Sequence, residues 1–160
     1  FVPRMEAVDA AMGASCTNPM IPTWLNGTPP QNICILTSVE NQEQADKRIP
    51  ELLRIPARWR GLSMEPLLGP VDLLKTGSLG IDDISEMRGT ALLDWLIIGG
   101  ESGPSARPCT VEWIRSLVAQ GKAAGVATFV KQMHDANGKL LKEMDQFPKD
   151  LQIQQFPFDK

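Results

Sequence analysis

Three glutamates each stand where an apolar segment of the sequence ends. Glu40 closes "CILTSVE", Glu65 closes "RGLSME", and Glu101 follows "WLIIGG". A fourth apolar segment runs into "VKQM", which puts Lys131 and Gln132 at nearly the same point. Carboxylates that lie close together repel, so they need a divalent cation, a bound amino group or a change in pKa. The pattern therefore predicts a polar ligand site, and its oxygen ligands would suit Mg²⁺ or Mn²⁺.

The loop "GESGPSARP" adds further groups to this candidate site. Ser102 supplies a hydroxyl, and Arg107 supplies a guanidinium that could hold a carboxylate or phosphate. Gly99 and Gly100 would let the backbone come close to a ligand. The loop matches neither a P-loop nor a dinucleotide-binding fingerprint. The ligand-binding candidates are Glu40, Glu65, Glu101, Ser102, Arg107, Lys131 and Gln132, and the metal-ligand candidates are Glu40, Glu65 and Glu101.

Each of these residues also has a purely structural interpretation. Glu40 could complement the positive end of the helix that follows it. Glu65 could be a solvated loop acid, Glu101 could accept hydrogen bonds from nearby amides, and Lys131 could simply pair with a glutamate. His134, the single histidine, is most simply an ordinary core or surface residue.

The elements that must position these side chains alternate between strands and helices. Helical patterns follow the first and third strands, and four strands are predicted at 32–39, 58–66, 92–100 and 126–133. Alternation of this kind indicates an α/β fold, with a parallel sheet of about four strands and crossover helices. Ligands of such sheets bind beyond the carboxyl ends of the strands. The acids therefore fall where a ligand site is expected.

The first helix is predicted to start at Asn41, because Asn41 and Gln44 have the spacing of a capping box. Pro50 should end that helix or restart it one turn later. The second helix is predicted to begin after Thr110, a suitable N-cap residue, and to end at Gly125.

The whole chain, 1–160, is predicted to form one α/β domain. Its parts are an N-terminal helix and loop at 1–31, the β-α-β-loop-β-α-β core at 32–133, and a tail at 134–160 that packs on the core. The stretch after the second strand is predicted to be a loop with one short helix.

Composition excludes several classes of protein. A net charge of −3 gives no general attraction to nucleic acid, so a nucleic-acid partner is left open only through the basic segment 47–60. No apolar run is long enough to span a membrane, and no leader is apparent, so a cytoplasmic location is expected. Cys16, Cys34 and Cys109 are scattered, which argues against a disulfide framework or a metal knuckle.

Four motifs together resemble a known family. "SVENQEQADKRIPELL", "SMEPLLGPVDL", "LDWLIIGGESGPSARP" and "AAGVATFVKQ" are similar, in this order, to segments of the phage- and prophage-associated three-cysteine-motif proteins. That family in turn resembles radical-SAM enzymes. The resemblance covers roughly residues 32–133, and "PRM" at 3–5 fits the start of the preceding helix.

The resemblance implies half of a (β/α) barrel, in which Glu40, Glu65, Glu101 and Lys131 face the mouth near S-adenosylmethionine or substrate. The family's cluster of three cysteines has no counterpart in this sequence, so no iron–sulfur cluster is expected on this chain. S-adenosylmethionine or a divalent cation are the candidate ligands. Half a barrel leaves sheet edges open. The edges could be covered by a separate chain carrying the missing N-terminal half-barrel, by a second copy, or by the tail and the N-terminal segment of the chain itself, and self-association is the favoured expectation.

Two functions remain open at this point. In the first, the chain has a carboxylate-lined pocket that binds a small ligand or metal, as part of a mobile-element protein. In the second, it is a non-catalytic α/β module for self-association or partner binding.

Overall fold

A computed structural model describes Trp24, residues 26–76 and residues 92–158. In chain order the strands are β1 Cys34–Ser38, β2 Trp59–Met64, β3 Trp95–Gly99, β4 Ala127–His134 and β5 Leu140–Leu141. Helix α1, Gln42–Arg54, lies between β1 and β2, and helix α2, Val111–Ala124, lies between β3 and β4. Two 3₁₀ turns, Met144–Gln146 and Lys149–Leu151, follow β5.

The strands form one sheet in the order β1-β2-β3-β4-β5. The first four are parallel and pair in sequence order, so the predicted α/β fold with a parallel sheet is confirmed. The fifth strand was not predicted. It runs antiparallel to β4 after a tight turn in which Gly138 has a φ of 79°. A positive φ at this point favours glycine, which explains the Asn-Gly pair of the sequence.

Helix α1 begins as predicted but does not end as predicted. The side chain of Asn41 accepts a hydrogen bond from the backbone N–H of Gln44, at 3.1 Å. Pro50 lies inside the helix, which runs without a break to Arg54, so the prediction that Pro50 ends the helix or restarts it one turn later was wrong. The missing N–H is tolerated because Ile49 and Leu52, on either side of Pro50, are buried in the core and hold the helix against the sheet.

Helix α2 begins after Thr110, but the Thr110 side chain makes no capping hydrogen bond. The helix ends at Gly125, which has a φ of 68°, as the sequence predicted. Gly121 brings the helix close to the sheet, because a Cβ there would lie only 2.5 Å from Thr128 Oγ1. The helix therefore gives up some intrinsic propensity at this position for a close approach to β4.

Both helices pack on one face of the sheet and share a single buried cluster with it. Alternate strand residues such as Leu62, Leu96, Ile98 and Val130 supply the sheet side of this core. The opposite face carries the other alternation, which we call the open face. Its residues include Leu36, Trp59, Trp95, Ile97 and Phe129, none of which is fully buried.

The C-terminal segment covers one sheet edge and part of the open face. Val130 N–H donates to the Ile153 carbonyl at 2.8 Å, and Gln155 N–H donates to the Thr128 carbonyl at 3.0 Å. Phe156 and Phe158 then pack against the ring of Trp95, with ring centroids 5.6 and 6.2 Å away. Within the described ranges, β1 pairs only with β2, so its outer edge carries no strand.

Three predictions fall on residues outside this description. They are the helix near residues 1–10, the position of Cys16, and most of the loop with a short helix that ends before β3. Among the described residues, no helix is long and apolar enough to cross a bilayer.

Candidate functional site

The strand ends that carry the predicted polar residues meet at one edge of the sheet. The loop after Glu65 crosses over both neighbouring strand ends and fixes them. Leu68 N–H donates to the Glu40 carbonyl at 2.7 Å, and Leu67 N–H donates to the Gly99 carbonyl at 2.9 Å. The carboxyl ends of β1, β2 and β3 are therefore tied together by backbone hydrogen bonds, which form a defined base for side chains.

Three of the predicted residues are in direct contact. Glu65 Oε2 accepts from Lys131 Nζ at 2.8 Å, and Glu65 Oε1 accepts from Gln132 Nε2 at 2.8 Å. The same Gln132 amide also donates to the Gly100 carbonyl at 2.7 Å, which anchors it to the end of β3. We call Glu65, Lys131 and Gln132 the central triad. Both oxygens of its carboxylate are occupied by donors from β4.

Gly99 makes this contact across β3 possible. A Cβ at Gly99 would lie 3.3 Å from Glu65 Cγ and 3.3 Å from Gln132 Cγ. These spacings are tighter than ordinary van der Waals contact, so a side chain here would push the triad apart. A β-bulge in β4 next to Gly99 shifts the register and brings Gln132 opposite it.

Glu101 forms a second, separate ion pair with Arg107. Arg107 Nε and Nη2 donate to the two carboxylate oxygens at 2.8 and 2.7 Å, and the Arg107 backbone N–H also donates to Oε2 at 2.8 Å. This hydrogen bonding, with smaller contributions from the Arg107 and His134 charges, lowers the pKa of Glu101 from 4.5 to about 2. The ion pair links the two ends of the loop 101–107. Ser102, within this loop, is exposed.

Glu40 forms a third ion pair, which the sequence pattern did not indicate. Arg48, from helix α1, reaches both Glu40 oxygens at 3.1 and 3.2 Å and also donates to the Ser38 carbonyl. Glu101 and, to a lesser extent, Glu40 raise the pKa of Arg107. Glu40 is therefore close enough to the Glu101–Arg107 pair for the two ion pairs to interact.

We call this edge of the sheet, with Glu40, Glu65, Glu101 and their partners, the rim. Each of its three carboxylates is paired with a cation, and none is free. The carboxylate side chains are 18–25% exposed, whereas those of Lys131, Arg107 and Arg48 are 53%, 59% and 41% exposed. The cationic side chains are therefore more exposed to solvent than the carboxylates with which they pair. Among the described residues, no three His, Cys, Asp or Glu side chains are arranged to hold a metal ion, so Glu40, Glu65 and Glu101 do not come together as a ligand set.

A cavity of about 730 Å³ opens at the same edge, between the start of α2 and the end of β4. The predicted acids do not line it, since each turns toward its own cation. Its walls include Cys109, Val111, Met133, His134 and Phe147. His134 is only 7% exposed, and its Nδ1 is buried without a hydrogen-bond partner among the described residues. The sequence offered one hint of this, the position of His134 just beyond Lys131.

Three of the five basic residues in the segment 47–60 form ion pairs. Lys47 pairs with Glu43, Arg48 with Glu40, and Arg54 with Glu51. These three residues lie on helix α1, whereas Arg58 and Arg60 lie beyond its end.

Cys109 is buried and Cys34 is half-buried. Burial raises the pKa of the Cys109 thiol to about 11, and burial together with Asp94 raises that of Cys34. Both thiols are free. Among the described residues, neither thiol belongs to a group of three His, Cys, Asp or Glu side chains that could hold a metal ion.

Fold and site together define a parallel α/β protein with a polar, ion-paired rim at the carboxyl end of its sheet. The chain belongs to a family described as "Protein of unknown function (DUF5131)", whose model matches residues 4–153. No curated protein and no solved structure matches it.

Proposed function

We propose that this chain is a small-molecule-binding protein whose rim holds an organic ligand that carries an anionic group. S-adenosylmethionine, which combines a carboxylate with cationic groups, is the first candidate. The wider proposal is a phage- or mobile-element-associated protein of radical-SAM-like ancestry. The consecutive order of four parallel strands, with both helices on one face, supports that ancestry, because (β/α) barrels are built in this way.

The central triad carries the proposal. Glu65 is only 18% exposed and spans a strand to reach Lys131 and Gln132. A carboxylate desolvated to this degree costs free energy unless its partners compensate it, so a purely structural role would be served as well by apolar residues. The arrangement instead fixes the position of the Lys131 ammonium, which remains half exposed beside the rim. Such a fixed cation can hold a ligand carboxylate or phosphate.

The same contacts favour an organic ligand over a divalent cation bound directly. Both oxygens of Glu65 and both of Glu101 already accept hydrogen bonds from positively charged or amide groups. A metal ion would have to displace Lys131 or Arg107, and would then lie beside their charges. An anionic group meets no such obstacle.

Reductive cleavage of S-adenosylmethionine is not part of the proposal. The fit of an iron–sulfur cluster to the described residues fails, because Cys34 and Cys109 belong to no group of three side chains that could hold a metal. The residues of the rim can bind, orient and neutralise a ligand.

Thermal unfolding with S-adenosylmethionine, Mg²⁺ and Mn²⁺, on wild type and on Glu65→Gln, tests the proposal. S-adenosylmethionine should raise the melting temperature of wild type and should raise that of the variant less. Glu43→Gln is the matched control, since it removes an exposed ion pair with Lys47 on helix α1. A response to the metal ions alone, or an equal response in Glu65→Gln, contradicts the proposed ligand class.

The open face favours a second candidate function, an assembly module. Trp59, Trp95 and Phe129 are incompletely buried there, and Leu36 is 39% exposed on a strand whose outer edge is unpaired within the described ranges. Exposed apolar faces and free strand edges promote association. A second copy, or a separate half-barrel chain, would cover both. Sedimentation equilibrium of wild type and Leu36→Lys tests self-association: a dimer that the substitution dissociates supports it, and a monomeric wild type removes it.

A further inference from the structure

The two edges of the sheet differ in how they are covered. The outer edge of β4 is covered by the chain itself, by β5 at its carboxyl end and by residues 153–155 farther back. Strand β1 forms the other edge and, among the described residues, pairs only with β2. Free edges usually carry a charged residue, a proline or a bulge that prevents pairing with another chain. Strand β1, with the sequence CILTS, has none of these, so it is suited to receive a further strand.

The hydrogen bonds around β1 show which of its backbone groups point outward. Val39 N–H donates to a carbonyl oxygen of β2 at 2.9 Å, so this residue points inward. The Ser38 carbonyl accepts instead from Arg48 of helix α1 at 2.8 Å, so it points away from β2. Backbone groups alternate in direction along a strand, which assigns Cys34 and Leu36 to the outer edge as well. Because Arg48 already occupies the Ser38 carbonyl, the groups open to a partner strand are those of Cys34 and Leu36.

The surface beside this edge contains apolar residues and charges of both signs. A groove of about 230 Å³ lies between β1 and helix α1, and it reaches Ile35, so the helix does not cover the edge. Ile55, at the end of α1, lines the groove and is 40% exposed. Lys47 and Glu51 also line it, one turn apart on the helix. A strand that paired with β1 would therefore bring its own chain against α1.

We propose that β1 pairs with β1 of a second copy of this chain, antiparallel and about a two-fold axis, so that the two sheets become one. The proposal rests on the second candidate function, the assembly module, and specifies its surface and its partner. Cys34 of each copy exchanges backbone hydrogen bonds with Leu36 of the other, which is the pattern of an antiparallel pair. The helices of both copies then lie on the same face of the joined sheet.

The unequal edges favour a second copy over an unrelated chain. Pairing of β1 with the β4 edge of another copy is blocked by β5 and residues 153–155, so chains cannot add head to tail. Pairing of β1 with itself uses the one uncovered edge of each described sheet, and assembly stops at two chains.

The charges beside the edge are complementary to themselves. In a two-fold dimer the two α1 helices run antiparallel, so Lys47 of each copy faces Glu51 of the other. The partner's helix also covers the exposed Ile55 side chain. Opposite charges that meet in this way fix the register of an interface more than they add to its affinity.

Proline at position 36 tests the edge directly. Leu36→Pro removes an outward N–H that makes no bond to β2, so the single chain should still fold, as edge strands tolerate proline there. The dimer loses one hydrogen bond at each of two symmetric positions, and its dissociation constant in sedimentation equilibrium should rise at least about tenfold. Leu36→Ala is the matched control, since it removes the same side chain but keeps the N–H, and it should weaken the dimer less. Thr37→Pro removes an inward N–H and should destabilise the single chain.

Charge exchange tests the two-fold arrangement. Glu51→Lys should weaken the dimer by a few-fold, because Lys47 of the other copy then faces a like charge. The double variant Lys47→Glu, Glu51→Lys should restore the dimer. Glu112→Lys makes the same change of charge at an exposed position on α2, away from the edge, and should leave the dissociation constant unchanged.

Amide hydrogen exchange of the wild-type chain needs no substitution. The Leu36 N–H should exchange more slowly as protein concentration rises, whereas the inward Thr37 N–H should be protected equally at every concentration. A wild type that stays monomeric at millimolar concentration overturns both this proposal and the assembly module. A dimer that Leu36→Ala and Leu36→Pro weaken equally overturns the edge pairing alone and leaves association through the open face. Failure of the double charge variant to restore the dimer overturns the two-fold arrangement.

Discussion

Lys131 Nζ lies 2.8 Å from Glu65 Oε2, although the two residues belong to β4 and to the end of β2, with β3 between them. The contact exists because β3 presents Gly99 at the crossing point, where a side chain would meet both Glu65 and Gln132. An ion pair that spans a strand in this way links three strand ends. The relationship makes the rim a single structural unit rather than a row of independent acids.

A double-mutant cycle with Glu65→Gln and Lys131→Met measures the strength of this link. We expect a coupling free energy of about 1 kcal/mol, at the upper end for a partly exposed pair, because Glu65 is largely desolvated while Lys131 is half exposed. Urea unfolding of the four proteins gives the value. Additive effects of the two substitutions would show that the contact contributes nothing to stability.

The loss of stability on substituting a strand glycine should depend on how easily the neighbouring atoms can move. A Cβ at Gly61 would lie 2.7 Å from the Trp95 carbonyl oxygen, which is backbone, whereas a Cβ at Gly99 would meet only side-chain atoms at 3.3–3.4 Å. Gly61→Ala should therefore destabilise the fold by about 1–3 kcal/mol and Gly99→Ala by no more than about 1 kcal/mol.

The two glycine variants should also differ in where the damage appears. Gly99→Ala should perturb the NMR signals of Lys131 and Gln132, because it lies under the central triad. Gly61→Ala, which is remote from the triad, serves as the control for stability. The reverse order of unfolding free energies would contradict the close approach of β2 and β3 at Gly61.

The Glu101–Arg107 pair predicts a specific dependence of stability on pH. The pKa of Glu101 is lowered to about 2 in the folded chain, so the unfolded chain takes up its proton first as the solution is acidified. The contribution of the pair is therefore complete above pH 4.5 and is lost as the pH falls toward 2. The difference in unfolding free energy between wild type and Glu101→Gln should shrink over that range.

Carboxyl-detected NMR titration checks the cause directly. The Glu101 midpoint should lie near 2 in wild type and should move up toward the ordinary value of 4.5 in Arg107→Gln. A midpoint that stays low without the guanidinium would assign the shift to another donor.

Alkylation tests how far the two described thiols are protected from solvent. Burial raises the pKa values of both thiols, so at neutral pH iodoacetamide should modify the buried Cys109 far more slowly in the folded chain than in urea, and the half-buried Cys34 should be protected less. The measurement is made on a Cys16→Ser background, so that only Cys34 and Cys109 can react. Rapid modification of Cys109 in the native chain would be incompatible with its position in the core.

Periodicity and spacing alone identified the four parallel strands, both crossover helices, and the edge of the sheet where Glu40, Glu65, Glu101 and Lys131 lie. These features follow from local sequence patterns, because an apolar run specifies a buried strand. In a parallel sheet all strands run in the same direction, so their carboxyl ends lie at the same edge. The Asn41 cap and the stop at Gly125 were equally local, and both were predicted correctly.

The partners of the charged side chains were decided only by the tertiary structure. Arg48 reaches Glu40 from helix α1, Lys131 crosses β3 to Glu65, and Pro50 is held in a helix by buried neighbours. None of these contacts can be predicted from one segment, because the partner of a long side chain depends on the packing of elements that are distant in sequence. The burial of His134 against Gly100 depends on the same packing, which turned an isolated histidine into the most distinctive polar group of the cavity.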